Sequence, residues 1–118
     1  MANTRTVRTV DPPFVGMFSF TVGPLEIDTA ARAVFREGTP LPLAPREYAL
    51  LEYLAVRQGR VVSRGELEEH LYDGRVELAS NAVDSAVCAL RRRIDGPGQP
   101  SLVETRRGHG YLLRAVAP

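Results

Sequence analysis

One hundred and eighteen residues, 44% of them apolar and 25% charged, make a chain of one-domain size and globular composition. Fifteen arginines stand against fourteen acids for a net charge of +1, with no lysine at all, and the single cysteine, Cys88, excludes an internal disulfide scaffold. No apolar run reaches the roughly 18 to 20 residues of a membrane span, and no apolar signal core follows Arg5 and Arg8, so a reducing cytoplasm is the expected compartment.

Residues 1–17 are polar and threonine-rich around Asp11-Pro12-Pro13 and read as a tail or linker, ahead of a folded unit at 18–116. Phe18 to Val22 alternates apolar and polar residues until Gly23-Pro24 stops it, and Leu25 to Asp28 alternates again. Ala33 to Arg36 follows, closed by Glu37-Gly38, and Leu41-Pro-Leu43 comes next. Turn signals at this spacing predict a small antiparallel sheet, with Pro40 and Pro42 reducing the last piece to an edge strand. The period then lengthens. Tyr48, Leu51, Leu54 and Ala55 predict an amphipathic helix from Pro45 to Gln58, ended by Gly59. Val61-Val62 is a short extended bridge, and Ser63-Arg-Gly-Glu66 is a capping-box pattern opening a short helix to Tyr72. After Asp73-Gly74 and a loop to Ala79, Ser80-Asn81 can cap a third helix to about Asp95, which Gly96-Pro97-Gly98 ends. A hairpin closes the order, Leu102 to Thr105 and Tyr111 to Arg114, with Arg106-Arg107-Gly108-His109-Gly110 at its tip.

The third helix has two faces. Val83, Val87, Leu90 and Ile94 fall within about 60° of one another and form the core side. Opposite stand Asn81, Ser85, Cys88 and Arg92, with Ala82 and Ala89 at the margin, and Arg91-Arg92-Arg93 makes the end basic. An ordinary solvated helix more often carries long charged side chains there. Small ones let a backbone approach a groove, Asn and Ser can read base edges, Ala and Cys can meet a thymine methyl, and arginines can hold phosphates. Arg106 and Arg107 place two cations where no core needs them, and arginine suits the strong negative potential of a narrow minor groove. The plainer reading is strand alternation, in which one of the two merely aids solubility.

From about Phe18 to Arg114 the chain resembles the DNA-binding effector domain of OmpR/PhoB-type response regulators. Four stretches carry the likeness: Leu43-Ala-Pro-Arg-Glu-Tyr-Ala-Leu-Leu-Glu-Tyr-Leu54, Val61-Val-Ser-Arg-Gly-Glu-Leu67, Asn81-Ala-Val-Asp-Ser-Ala-Val-Cys-Ala-Leu-Arg-Arg-Arg-Ile94 and Glu104-Thr-Arg-Arg-Gly-His-Gly-Tyr-Leu112. The resemblance implies an α+β winged helix-turn-helix: an N-terminal four-stranded antiparallel sheet, three helices and a C-terminal β-hairpin wing. It implies double-stranded promoter DNA as partner, with the third helix in the major groove and the wing at the minor groove. It further implies head-to-tail pairs on direct repeats and contact with RNA polymerase. The family's usual receiver domain is not among these residues, which leaves two readings open, a fragment whose partner is a receiver domain outside these residues or a free-standing regulator. By position, base readout falls to Asn81, Ala82, Ser85, Ala86 and Ala89. Backbone contact falls to Arg64, Arg91, Arg92, Thr105 and His109, the minor groove to Arg107, and the polymerase loop to Asp73, Gly74, Arg75, Val76 and Glu77. Two departures stand out: Ala44 replaces a frequent helix-capping Thr, and Tyr72 a frequent Trp.

The rival from another class is a winged-helix module that binds protein instead of DNA, favoured locally by the acidic stretch from Arg64 to Ala79. Residues 61–79 hold two arginines and five acids, whereas residues 80–118 hold six arginines and three acids, so the near-neutral total hides opposed segments. For Cys88, DNA contact or plain exposure is favoured over a redox or metal-sensing role, and His70 reads as a surface residue. No phosphate-cradling glycine motif, nucleophile with a base, or metal set can be named, so neither a cofactor nor an enzyme is expected.

Overall fold

A computed structural model describes residues 19–72 and 81–114. Strands β1 (Ser19–Val22), β2 (Leu25–Asp28), β3 (Ala33–Arg36) and β4 (Thr39–Pro40) pair antiparallel in simple order. Gly23 takes φ 55° in the two-residue turn that sets Val22 opposite Leu25. Glu37 and Gly38, at φ 50° and 86°, both take the left-handed values that suit a tight hairpin between β3 and β4. Val22, Leu25, Ile27 and Val34 are buried, giving the sheet one core face. The expected edge strand at Leu41-Pro-Leu43 does not form: β4 ends at Pro40. Pro40 and Pro42 have no N–H for a ladder, and Leu43 N–H turns back to the Leu41 carbonyl at 3.0 Å, so the chain leaves the sheet.

Helix α1 (Pro45–Val56) buries Tyr48, Leu50, Leu51, Leu54 and Ala55. It stops two residues before the expected Gln58, because Arg57, Gln58 and Arg60 tighten into three-residue backbone turns. Gly59, at φ 84°, then donates its N–H to the Leu113 carbonyl at 2.8 Å. Helix α2 (Arg64–Leu71) begins at Ser63, whose Oγ accepts from Glu66 N–H at 3.0 Å, as the capping pattern requires. The reciprocal half of that box is absent, since the Glu66 carboxylate instead receives the Tyr53 hydroxyl and Arg60 Nη2. Tyr72 lies just past the helix in extended conformation, under the Arg46 guanidinium at 4.3 Å.

Helix α3 (Ala82–Ile94) buries Val83, Val87, Leu90 and Ile94, the four positions its periodicity marks. Asn81 precedes it with no side-chain cap bond, and Ser80 lies outside the described residues. Strands β5 (Val103–Arg106) and β6 (Gly110–Leu113) form the hairpin, one residue displaced from the expected ends. Val62 pairs with Tyr111 through two backbone bonds of 2.7 and 2.9 Å, adding a third extended segment to it. The sheet, three helices and hairpin are the winged-helix architecture, and one cluster of buried side chains runs through all of them.

Candidate nucleic-acid interface

The outer face of α3 is built as its sequence indicates. Asn81, Ser85, Cys88 and Arg92 are exposed, and Ala82 and Ala89 are half-buried at its margin. Ala86 is half-buried as well and packs against the core cluster. Arg92 meets no carboxylate among the described residues, and its Nη1 lies 3.3 Å from the Cys88 sulfur.

Three consecutive arginines on α3 have three different settings. Arg91 turns to the hairpin: its Nε and Nη2 donate to the Val103 carbonyl at 3.1 and 2.8 Å, and Nη2 also donates to Thr105 Oγ1 at 2.7 Å. Arg92 faces solvent. Arg93 turns to α1, with its Nε 3.4 Å from Glu47 Oε1, the same carboxylate oxygen that accepts Ala44 N–H at 2.9 Å.

The hairpin tip carries the remaining predicted residues. Its turn is closed by His109 N–H on the Arg106 carbonyl at 2.8 Å, with Gly108 at φ 82°. Arg106 and Arg107 are both exposed, so simple alternation does not hide one of them. Arg106 pairs with Glu104 at 3.1 Å, whereas Arg107 has no hydrogen bond or ion pair among the described residues. Thr105 and His109 are exposed beside it. Gly110 has φ 142°, and a Cβ there would overlap the Val62 carbonyl oxygen, so glycine is needed for the hairpin to lie against Val62.

Sequence reasoning missed the group that joins these parts. Asp84, in the first turn of α3, accepts the Tyr111 hydroxyl from β6 and Arg64 Nη2 from the start of α2, the latter at 2.9 Å. The Tyr111 hydrogen bond and then the Arg64 guanidinium hold the Asp84 carboxyl below its usual range. Burial, followed by the adjacent carboxylate, pushes the Tyr111 hydroxyl up. Tyr111 thus packs the hairpin against α3. Arg64, expected on a phosphate, is half exposed and reaches solvent from within this ion pair. The one available signal was an acid placed on an otherwise small, basic helix face. Asp73, Gly74, Arg75, Val76 and Glu77 lie outside the described residues.

A family model described as transcriptional regulatory protein, C terminal, matches residues 38–113. The transcriptional regulatory protein CusR of Escherichia coli K12 is 34% identical over 113 residues, covering 96% of this chain and 50% of CusR. The chain therefore spans half the length of that relative. The crystal structure of the DNA-binding domain of CpxR from E. coli is similar with a TM-score of 0.72 and 31% identity, over 83% of this chain and 98% of that one. The DNA-binding domain of RstA from Klebsiella pneumoniae, solved in complex with the RstA box, gives 0.72 at 27% identity, again over 83% and 98%.

Proposed function

The chain belongs to the family of transcriptional regulatory protein C-terminal domains, the effector domains of OmpR/PhoB-type response regulators, and from this premise we propose that it binds double-stranded DNA and regulates transcription. Helix α3 enters the major groove, and the β5–β6 hairpin, the wing, reaches the neighbouring minor groove. The observation that carries this reading is a helix face of small side chains ending in exposed Arg92, braced to a hairpin whose tip presents exposed Arg107, neither of them facing a carboxylate among the described residues. That pattern suits close approach to a groove, with guanidinium forks at each end for phosphate or a narrow minor groove.

Asn81, Ala82, Ser85 and Ala89 are the base-facing positions, with Ala86 contributing little because the core holds it. Arg64, Arg92, Thr105 and His109 meet the backbone, and Arg107 enters the minor groove. The segment Asp73 to Glu77 contacts RNA polymerase, copies sit head to tail on direct repeats, and a receiver domain is the regulatory partner. The work is binding rather than catalysis, and it is done in the cytoplasm. No helix among the described residues is long and apolar enough to cross a membrane. The protein-docking alternative loses part of its basis here, since Glu66 of the acidic segment is engaged by Tyr53, Arg57 and Arg60.

A salt titration on duplexes selected from a random pool tests the proposal. The logarithm of the binding constant should fall linearly with that of salt concentration, and Arg92→Ala should flatten the slope by about one. Salt-insensitive binding, or no selected duplex, would sink it.

A further inference from the structure

Arg91 stands in the basic run of α3, where the family resemblance assigns it to a phosphate, yet its guanidinium is turned toward the hairpin. Two of its nitrogens converge on the Val103 carbonyl at 3.1 and 2.8 Å, and Nη2 reaches Thr105 Oγ1 at 2.7 Å. Val103 is buried and Arg91 only half exposed, so this forked contact is sheltered from solvent on one side. A forked guanidinium fixes direction as well as distance, which a point charge cannot do. Building on the DNA-binding proposal above, we infer that Arg91 is a positioning residue: it sets the wing against α3 so that Arg107 and the Thr105 hydroxyl meet DNA in register with the helix.

Thr105 makes the consequence concrete. A hydroxyl has one proton and two lone pairs. With a lone pair of Oγ1 occupied by Arg91 Nη2, its proton remains available for an outside acceptor such as a phosphate oxygen. Arg91 therefore orients Thr105 as a donor toward the DNA side. The Asp84 group braces the other strand, because Tyr111 of β6 and Arg64 of α2 meet on one carboxylate of α3. Each wing strand is thus tied to α3 by its own polar contact. Arg107, at the tip, inherits its position from both.

The test is a double-mutant cycle on the full chain and a selected duplex. Arg107→Ala should weaken binding roughly tenfold or more in the parent, and less than about threefold in an Arg91→Lys background. Lysine keeps the charge that a phosphate contact needs but loses the fork, so a phosphate role predicts no such coupling. An Arg107→Ala penalty of equal size in both backgrounds overturns the inference. So does an Arg91→Ala change that flattens the salt slope by about one when Arg107 is already alanine, the loss expected of a phosphate contact of its own. If the parent binds no duplex, the functional proposal falls by itself. The brace is then judged by amide exchange in the free protein, where unchanged protection of β5 in Arg91→Lys overturns it.

Discussion

Asp84 and Gly110 show how single positions hold the hairpin against its neighbours. Asp84 and Glu66 both have carboxyl groups held below their ordinary values, Asp84 mainly by Tyr111 and Glu66 mainly by the Tyr53 hydroxyl. A depressed folded-state value means the unfolded chain binds protons first, so this stabilisation is present above the ordinary values of 3.8 and 4.5 and is lost as pH falls below them. Asp84→Asn should therefore lower the urea midpoint at neutral pH and give a shallower decline toward about pH 3, read by denaturation at several pH values. An unchanged acid limb would remove Asp84 from the role given to it. On the alkaline side the buried Tyr48 hydroxyl is pushed up to about 12 by burial and by Glu52, so its contribution holds below pH 10 and fades as pH rises through about 12. Gly110→Ala should cost about 3 kcal/mol or more, combining φ strain with overlap on the Val62 carbonyl. Thermal unfolding would show it, and a loss below about 1 kcal/mol would mean the hairpin shifts freely. The small residues on α3 were legible from spacing, because a helical period converts sequence position into direction. Arg91, Arg92 and Arg93 were not separable in the same way. They differ by about 100° in direction, but the partners that distinguish them, Val103 and Glu47, lie on other elements.

The helices were easier to read than their ends. Periodicity placed the buried faces of α1 and α3, since burial of an apolar stripe dominates the choice of structure there. Ends depend on local backbone bonds of smaller energy, which is why α1 stops at Val56 and the edge piece ends at Pro40. The start of α1 shows such a local balance. Ala44 sits in the extended conformation of a capping residue, at φ −68° and ψ 157°, but has no oxygen to offer. The Glu47 carboxylate supplies the reverse contact to Ala44 N–H at 2.9 Å. Ala44→Ser should add the missing acceptor and stabilise the domain by about 1 kcal/mol, a rise of roughly 4–8 °C in midpoint. A calorimetric midpoint that does not rise would show that Glu47 already satisfies this end. The Asp84 junction had no periodic signature, because its members are 20 and 27 residues apart along the chain.

Across the whole molecule, the N-terminal sheet is connected to the proposed recognition helix by a specific bond. Arg36 of β3 donates Nη1 to the Ile94 carbonyl, at the end of α3, where helix carbonyls lack an internal partner. Gly96 keeps room for that guanidinium, which a Cβ at this position would strike. Arg36→Ala should cost about 1–3 kcal/mol in global stability while leaving the salt slope of binding unchanged, since Arg36 belongs to no proposed DNA contact. A flatter slope in that variant would place Arg36 at the interface. Charge follows the same division. The net value of +1 conceals an excess of arginine in residues 80–118, and within that excess Arg92 and Arg107 are exposed on the proposed surface and face no carboxylate among the described residues.

The bridge between Val62 and Tyr111 also orders events in time. During synthesis, the α1–α2 connection emerges well before the strand it must pair with, and Asp84 and Arg91 emerge before Tyr111, Val103 and Thr105. Closing these long-range contacts carries a loop-entropy cost that local helix formation does not. Helices α1 to α3 can therefore gather early, while the assembled surface waits for β5 and β6. A nascent chain ending before the wing would hold α3 with Arg91 and Asp84 lacking their hairpin partners, and the surface shared by helix and hairpin would exist only once the last of these strands is in place.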